Sequence, residues 1–117
     1  MKDSFKLGIL IATYNRPAEL RLLLNSLMGQ KVKISRVIVV DSSPAPPSEL
    51  NKAVVSFSYG FPIDYLSCDI PSSTVQRNIG AKWLLEKGMD YVQVLDDDTQ
   101  PAEDYISRLL DVLLSVP

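Results

Sequence analysis

The sequence predicts an α/β fold, an open and mostly parallel sheet with flanking helices. Two observations lead to this fold class. Short apolar runs alternate with segments of helical periodicity, and the first run is continuously apolar, as in a strand that is covered on both faces. Since strands that alternate with helices form right-handed βαβ units, we predict one domain over residues 1–117, with four strands in the order 3-2-1-4.

The first strand and the first helix come at the start of the chain. Residues 7–12 are the apolar run, and a polar segment follows at residues 13–17. Asn15 is a candidate N-cap of the helix, and Pro17 suits its first turn. Leucines then recur at helical spacing until Gly29, which favours a helix end.

The middle of the chain carries two more strands. The second is predicted at residues 37–40, ends at Asp41 and leads into a loop rich in serine and proline. A short helix is predicted at about residues 49–54, and a weaker third strand follows at residues 63–66. Cys68 comes next, and we interpret it as a small, half-buried apolar residue.

The second long helical pattern follows Ser72 and Ser73. Gly80 lies inside it and indicates a close approach by another backbone, while Gly88 is predicted to end the helix. The apolar residues that recur at helical spacing in this segment are Val75, Ile79, Trp83 and Leu84.

The fourth strand, predicted at residues 91–95, runs directly into three consecutive aspartates. The last helix is predicted to open at Pro101, with Glu103 and Asp104 close to its positive N-terminal end. Its apolar face is formed by Ile106, Leu109, Leu110 and Leu113.

Composition excludes several classes of function. The formal net charge is −2 and no basic stripe is present, so we expect no nucleic-acid partner. The chain has no histidine, which rules out a Ser–His–Asp triad, a Cys–His pair and histidine metal ligands. A single cysteine cannot form an internal disulfide, and no apolar run is long enough for a signal peptide or a membrane span. We therefore expect a cytoplasmic protein.

The predicted topology places one ligand site. In open α/β sheets, ligands bind beyond the carboxyl ends of the strands, at the point where the strand order reverses. Here that point lies between the first and fourth strands, which are followed by residues 13–16 and 96–98. The second strand ends beside them, at Asp41. Four acids and an arginine are therefore expected to converge on one edge of the sheet.

The run Asp96-Asp97-Asp98 is a candidate metal site. Alternate residues of an extended segment point the same way, so Asp96 and Asp98 are expected to face one site, and Asp97 to point away from them. Carboxylates placed close together repel unless a cation neutralises them, and such oxygen ligands suit Mg²⁺ or Mn²⁺ bound to phosphates. The alternative is a solvated turn followed by a helix cap.

Arg16, Arg77 and Asp41 complete the candidate site. Either arginine could pair with a diphosphate through two hydrogen bonds, although a lone arginine at such a position is also a common solvated surface residue. Asp41 could cap a turn or accept a hydrogen bond from a base, and the residue pattern alone leaves both interpretations open.

Four segments resemble family 2 glycosyltransferases, and they come in the order and spacing of that family. The segments are Ile9 to Pro17 followed by the leucine helix, Val37 to Ser43, Arg77 to Gly80, and Asp96 to Asp98 as the aspartate–x–aspartate motif. Together they span nearly the whole chain. Ser42-Ser43 stand where the family usually has Asp-Gly or Asp-Asp.

The resemblance implies a GT-A-type fold, a UDP- or dTDP-sugar donor and Mn²⁺ or Mg²⁺ as cofactor. By that resemblance, Thr13, Tyr14 and Arg16 would line the base and ribose site, and Asp41 would accept a hydrogen bond from the pyrimidine N3–H. Arg77 would contact the base or the diphosphate, Asp96 the ribose, and Asp98 the metal, which stabilises the departing diphosphate. The candidate substrate-binding residues are thus Thr13, Tyr14, Arg16, Asp41, Arg77, Asp96 and Asp97. Asp98 is the candidate metal ligand, and no catalytic residue is assigned.

The resemblance also implies a further stretch of chain after the metal motif. That half of a family member binds the acceptor and supplies the catalytic base. We therefore expect residues 1–117 to be the donor-binding part of a truncated domain, inactive in transfer on its own. The acceptor, whether a sugar, a lipid or a protein, is unassigned, and association with the cytoplasmic face of a membrane is expected only through missing downstream segments.

Other interpretations share the fold. A nucleotidyltransferase that makes nucleotide sugars would carry a glycine-rich phosphate loop after the first strand, and residues 13–17 contain no glycine. A receiver-type signalling domain would need an acid pair after the first strand and a lysine after a fifth strand, and neither is present. A homologue that binds its ligand without turnover remains an alternative.

Overall fold

The structure, a computed structural model, describes residues 5–45 and 47–115 of the chain. Along these residues, strands and helices alternate as the sequence predicts. The elements are β1 (Leu7–Thr13), α1 (Pro17–Met28), β2 (Arg36–Asp41), α2 (Pro47–Val55), β3 (Ile63–Ser67), α3 (Ser73–Glu86), β4 (Tyr91–Asp96) and α4 (Tyr105–Ser115).

The strands form one parallel sheet in the order β3-β2-β1-β4, which confirms the predicted fold class and strand order. The register aligns the carboxyl ends of the strands. Thr13 pairs with Asp41 of β2, while Ala12 pairs with Asp96 of β4. The first residues after β1 and β4 therefore emerge side by side at the edge where the strand order reverses.

Helices cover the sheet on both faces, which explains the continuous apolar run of β1. Ile9 and Ile11 belong to a core cluster with residues of α1, α2 and α4, whereas Leu10 belongs to a second cluster with Leu84 of α3. All three β1 side chains are fully buried. Complete burial of one such side chain contributes roughly 1.5–3 kcal/mol, so the central strand is firmly anchored under the site.

The start of α1 differs from the prediction. Pro17 occupies the first helical position and Gly29 caps the C-terminal end, as expected, but the N-cap is Arg16 and it makes no side-chain cap hydrogen bond. Asn15 instead adopts a left-handed backbone conformation with φ of 55°. Its backbone N–H donates to the hydroxyl of Ser43, so tertiary contact rather than capping fixes its conformation.

The face of α3 that contacts the sheet also differs from the prediction. The buried residues are Gln76, Gly80 and Leu84, whereas Ile79 is exposed. A Cβ on Gly80 would lie 2.7 Å from Cγ of Leu10, so the close neighbour is a core side chain and not, as predicted, another backbone. The helix ends before Gly88, whose φ is +83°.

The last helix begins at Tyr105, so the prediction that Pro101 opens it is wrong. Gln30 explains the difference, because its side chain engages the segment before the helix. Its Nε2 donates to the carbonyl of Ala102 at 2.7 Å, and its Oε1 accepts from the N–H of Ile106 at 3.1 Å. The side chain of Gln30 thus satisfies an N–H of the first helical turn, which a local cap would otherwise do.

Cys68 packs in the second core cluster as a small apolar residue, in agreement with its interpretation, but it is buried and not half-buried as predicted. Its Sγ lies 3.4 Å from the carbonyl oxygen of Ile70. Among residues 5–45 and 47–115, no helix combines the length and the apolar character that crossing a bilayer requires.

Candidate functional site

A pocket of about 450 Å³ opens at the carboxyl ends of β1 and β4, where the sequence predicts the ligand site. Its size is typical of small-molecule sites. The residues that line it are Ala12, Thr13, Tyr14, Arg16, Pro71, Ser73, Gln76, Arg77, Asp96, Asp97 and Asp98. Of the predicted site residues, all but Asp41 are therefore brought together in its wall.

A buried hydrogen bond joins the two strand ends beneath the pocket. The hydroxyl of Thr13 donates to Oδ2 of Asp97 at 2.9 Å. Burial raises the pKa of the Asp97 carboxyl above its usual value, and this effect is opposed by the hydrogen bond from Thr13, the nearby Arg16 and a backbone hydrogen bond from Tyr14. Asp97 therefore serves mainly as an internal acceptor that holds the loop after β1.

Two exposed arginine–aspartate pairs lie in the pocket wall, and Nη1 of Arg16 is also 3.7 Å from Oδ1 of the less exposed Asp97. Nη1 of Arg16 lies 3.3 Å from Oδ2 of Asp98, and Nη2 of Arg77 lies 3.1 Å from Oδ1 of Asp96. Both pairs are largely solvent-exposed, and such pairs contribute about 0–1 kcal/mol. The charged groups can therefore change partners at small cost when a charged ligand arrives.

The three aspartate side chains alternate in exposure. Those of Asp96 and Asp98 are 70% and 60% exposed, whereas that of Asp97 is 12% exposed. The two outer carboxylates thus face the pocket and the solvent, and the middle one faces the protein interior. Asp96 ends β4, and Asp97 and Asp98 lie in a turn that the N–H of Thr99 closes by donating to the carbonyl of Asp96 at 3.1 Å, so the turn and not an extended strand sets the alternation.

The carboxylates of Asp96 and Asp98 are suited to a divalent cation that a phosphate also coordinates. In the part of the chain that the structure describes, no three or more carboxylate, cysteine or histidine side chains come together as a complete metal cage. Mg²⁺ is usually bound by one or two carboxylates, with phosphate oxygens and waters as the other ligands. Asp98 and Asp96 supply oxygen ligands of that number and type.

Asp41 lies beside the pocket but not in its wall, and it is 2% exposed. Its Oδ1 accepts from the N–H and the hydroxyl of Ser43, and its Oδ2 accepts from Nδ2 of Asn51 and the hydroxyl of Tyr65. These four bonds use the acceptor capacity of a carboxylate. Asp41 therefore caps the turn after β2 in this conformation, and its contact with a base stays a prediction that would require one donor to leave.

Gln76 is a buried residue of the pocket that the sequence did not single out. Its Nε2 donates to the carbonyl of Thr13 at 3.0 Å and to that of Val40 at 2.8 Å, so it ties the ends of β1 and β2 to α3. Its signal in the sequence is its spacing, four residues before Gly80 and eight before Leu84, the other two buried residues of that helix face.

The first turn of α3 contributes its N-terminal end to the pocket. Ser72 caps the helix by accepting from the N–H of Val75, and Ser73 and Arg77 line the pocket wall. The partial positive charge of a helix N-terminus favours anions. The guanidinium groups of Arg16 and Arg77 add full positive charges at the same place, so this side of the pocket is suited to an anionic group.

The fold and the position of the pocket define the chain as an open α/β domain that places its ligand at a reversal of strand order. The chain belongs to glycosyl transferase family 2, whose sequence profile matches residues 8–115. This family membership confirms the resemblance that the four sequence segments indicate.

Individual relatives agree with the family and the fold. An uncharacterized glycosyltransferase of Haemophilus influenzae is 32% identical over 112 residues, which are 95% of this chain and 35% of that protein. The structure of S. aureus TarS residues 1–349 in complex with UDP is 19% identical with a TM-score of 0.73, covering 92% of this chain and 32% of the other. A second crystal structure of S. aureus TarS gives a TM-score of 0.64 at 19% identity, covering 92% of this chain and 19% of that one. The chain thus spans about a third of the length of the curated relative.

Proposed function

We propose that this chain forms the donor-binding part of a metal-dependent glycosyltransferase that uses a UDP- or dTDP-sugar. The observation that carries the proposal is the pocket itself, where two arginines and two exposed aspartates meet at the switch point of the sheet. Membership of glycosyl transferase family 2 supports the reaction class. TarS, whose structure in complex with UDP has a similar fold, supports a nucleotide diphosphate as ligand.

In the proposed complex, the diphosphate lies between Arg16, Arg77 and the first turn of α3. Guanidinium groups match phosphate oxygens through paired hydrogen bonds, and the helix end adds N–H donors. Both arginines would leave their aspartate partners for the phosphates. The ligand thereby replaces two weak ion pairs with stronger charge-assisted contacts.

The freed carboxylate of Asp98 would hold Mn²⁺ or Mg²⁺ at the diphosphate, and that of Asp96 would contact the ribose. Bound there, the metal acts as a Lewis acid that stabilises negative charge on the departing nucleoside diphosphate. The chain contributes the carboxylate that selects a hard cation, and the buried Thr13–Asp97 bond keeps the aspartate segment in place.

The base and ribose would lie along the loop after β1. Tyr14 is 46% exposed and lines the pocket, so its ring offers an aromatic surface on which a pyrimidine can stack. Asp41, two strands from the aspartate segment, would reach the base N3–H through Oδ2 only if Asn51 or Tyr65 gave up its hydrogen bond to that oxygen.

Titration calorimetry tests the proposal directly. UDP is titrated into the chain with Mn²⁺, and again with EDTA in place of the metal. We expect binding that is at least about tenfold tighter with Mn²⁺, because a charge-assisted contact contributes roughly 1.5–3 kcal/mol. Equal affinity with and without metal would contradict the metal role, and absence of UDP binding in both would contradict the donor site.

A further inference from the structure

The loop between β1 and α1 contains a strained residue next to the pocket. Asn15 has a φ of 55°, a left-handed conformation that residues other than glycine adopt rarely, although asparagine tolerates it better than most. Its neighbours on both sides, Tyr14 and Arg16, line the pocket. Strained conformations persist only where surrounding contacts impose them, so something must hold this loop.

Ser43 supplies that contact. Its Oγ accepts a hydrogen bond of 2.7 Å from the backbone N–H of Asn15. The same hydroxyl donates to Oδ1 of Asp41 at 2.5 Å. Since a hydroxyl has one proton, its donation to Asp41 leaves the oxygen free to accept from Asn15, and the direction of both bonds is fixed.

Asp41 is a rigid support for Ser43 because it is buried and hydrogen-bonded from several sides. Asn51 of α2 and Tyr65 of β3 both donate to its Oδ2, and the backbone N–H of Ser43 donates to its Oδ1. A second bond ties the same loops together, from the N–H of Ser42 to the carbonyl of Thr13 at 3.2 Å. The loop after β2 is thereby anchored before it reaches Asn15.

We infer that Ser43 is a positioning residue for the donor pocket. It transmits the fixed position of Asp41 to the backbone of Asn15 and so orients Tyr14 and Arg16 toward the ligand. Ser43 does not itself line the pocket. The inference rests on the proposed function for its binding consequence, whereas its structural part concerns the Asn15 amide alone.

The test compares Ser43→Ala, Ser43→Thr and the matched control Ser42→Ala. The hydroxyl of Ser42 donates to the carbonyl of Ile70 and does not contact Asn15, so the control removes a neighbouring hydroxyl only. Two quantities are measured for each variant: the affinity for UDP with Mn²⁺, and the hydrogen-exchange rate of the Asn15 amide by NMR, measured without nucleotide.

We expect Ser43→Ala to weaken UDP binding about fivefold and to raise the exchange rate of the Asn15 amide about fivefold, since one hydrogen bond typically contributes about 1 kcal/mol. Ser43→Thr, which keeps the hydroxyl, should restore both quantities, and Ser42→Ala should leave both near the wild-type values. A loss of global stability would raise amide exchange throughout the chain, whereas the inference expects the change at Asn15.

Two outcomes would overturn the inference. The first is a Ser43→Ala variant with wild-type UDP affinity and wild-type Asn15 exchange, and the second is an equal loss of affinity in Ser42→Ala. If the wild-type chain binds no UDP at all, the proposed function fails by itself. The Asn15 exchange rates then still decide whether Ser43 holds the loop.

Discussion

Thr13 and Asp97 are joined by a buried side-chain hydrogen bond of 2.9 Å that connects the end of β1 to the segment after β4. Thr13 is 2% exposed, and its partner carboxylate is one residue from each of the two exposed aspartates. The bond therefore sets where the Asp96 and Asp98 side chains leave the sheet. Its removal is expected to disturb both stability and ligand binding.

Thr13→Val tests this bond with little change of side-chain volume. The substitution leaves Asp97 without its hydroxyl donor, and an unsatisfied buried acceptor costs about 1–3 kcal/mol. Urea unfolding should show a corresponding loss in the free energy of unfolding. Thr13→Ser, which keeps the hydroxyl, should lose less than half as much. Equal losses in the two variants would mean that the methyl group, and not the hydroxyl, stabilises the site.

Asp98→Asn is expected to remove the metal-dependent part of UDP binding while leaving stability unchanged. The side chain of Asp98 is 60% exposed, so the substitution affects the ligand and not the core. Calorimetry with Mn²⁺ should give an affinity close to that of wild type in EDTA. Glu103→Gln is the control, since Glu103 is an exposed carboxylate outside the pocket, near Lys31. If Asp98→Asn bound UDP as much more tightly with Mn²⁺ than with EDTA as wild type does, Asp98 would be excluded as the metal ligand.

Gly80→Ala is expected to destabilise the domain, because overpacking of the core costs about 1–3 kcal/mol. The higher helix propensity of alanine offsets about 1 kcal/mol of this cost. The new Cβ would lie 2.7 Å from Cγ of Leu10 and 3.2 Å from Cγ2 of Val40. Gly29→Ala is a matched control, because the nearest atom to its Cβ would be 3.7 Å away. Thermal unfolding of both variants gives the comparison, and equal melting temperatures would show that α3 moves freely away from β1.

Tyr65→Phe is expected to change the stability of the domain at high pH. Burial, together with the hydrogen bond to Asp41, raises the pKa of the Tyr65 hydroxyl. The folded state then keeps its proton above about pH 10, where the unfolded state loses it, so the free energy of unfolding falls as pH rises beyond that value. Tyr65→Phe should lower stability by about 1.5–3 kcal/mol at pH 8, because Asp41 loses a donor.

The difference between wild type and Tyr65→Phe should then shrink as pH rises above about 10. Urea unfolding at a series of pH values checks this trend. The pKa of Tyr59 is also raised, through burial, so part of the alkaline slope remains in the variant. A difference in the free energy of unfolding between wild type and Tyr65→Phe that stays constant up to about pH 11 would contradict the raised pKa of Tyr65.

The sheet was predictable because its signals are local and repeated. Continuous apolar runs such as residues 7–12 identify strands covered on both faces, and the alternation with helices leaves few topologies. The convergence of the β1 and β4 ends then follows from the strand order alone. For this reason the pocket could be located from sequence before any side chain was placed.

The starts of α1 and α4 were less predictable because distant residues decide them. Asn15 is a good N-cap by type, yet its backbone N–H is taken by Ser43, which lies 28 residues away. Pro101 is a good helix start by type, yet Gln30, from the end of α1, satisfies the N–H of Ile106. Local preference gives no information on partners that only the folded chain brings together.

The hydrogen-bond partners of Asp41 could not be predicted from the sequence either. Its position at the end of β2 could be read from the sequence, but its partners Asn51 and Tyr65 come from α2 and β3. Whether a strand-end carboxylate faces a ligand or the interior depends on those donors. The sequence therefore identified the residue and left its contact open.

Arg16 and Arg77 would meet an approaching anion while already paired with carboxylates, at 3.3 Å and 3.1 Å. The field of such a pair falls off faster with distance than that of a free charge, and three aspartates outnumber two arginines in the pocket wall. If the proposed donor site is correct, a free nucleotide diphosphate would gain little electrostatic steering, and its association rate constant would stay in the range of unsteered encounters. Added salt would leave that rate constant almost unchanged and would act mainly on the dissociation rate.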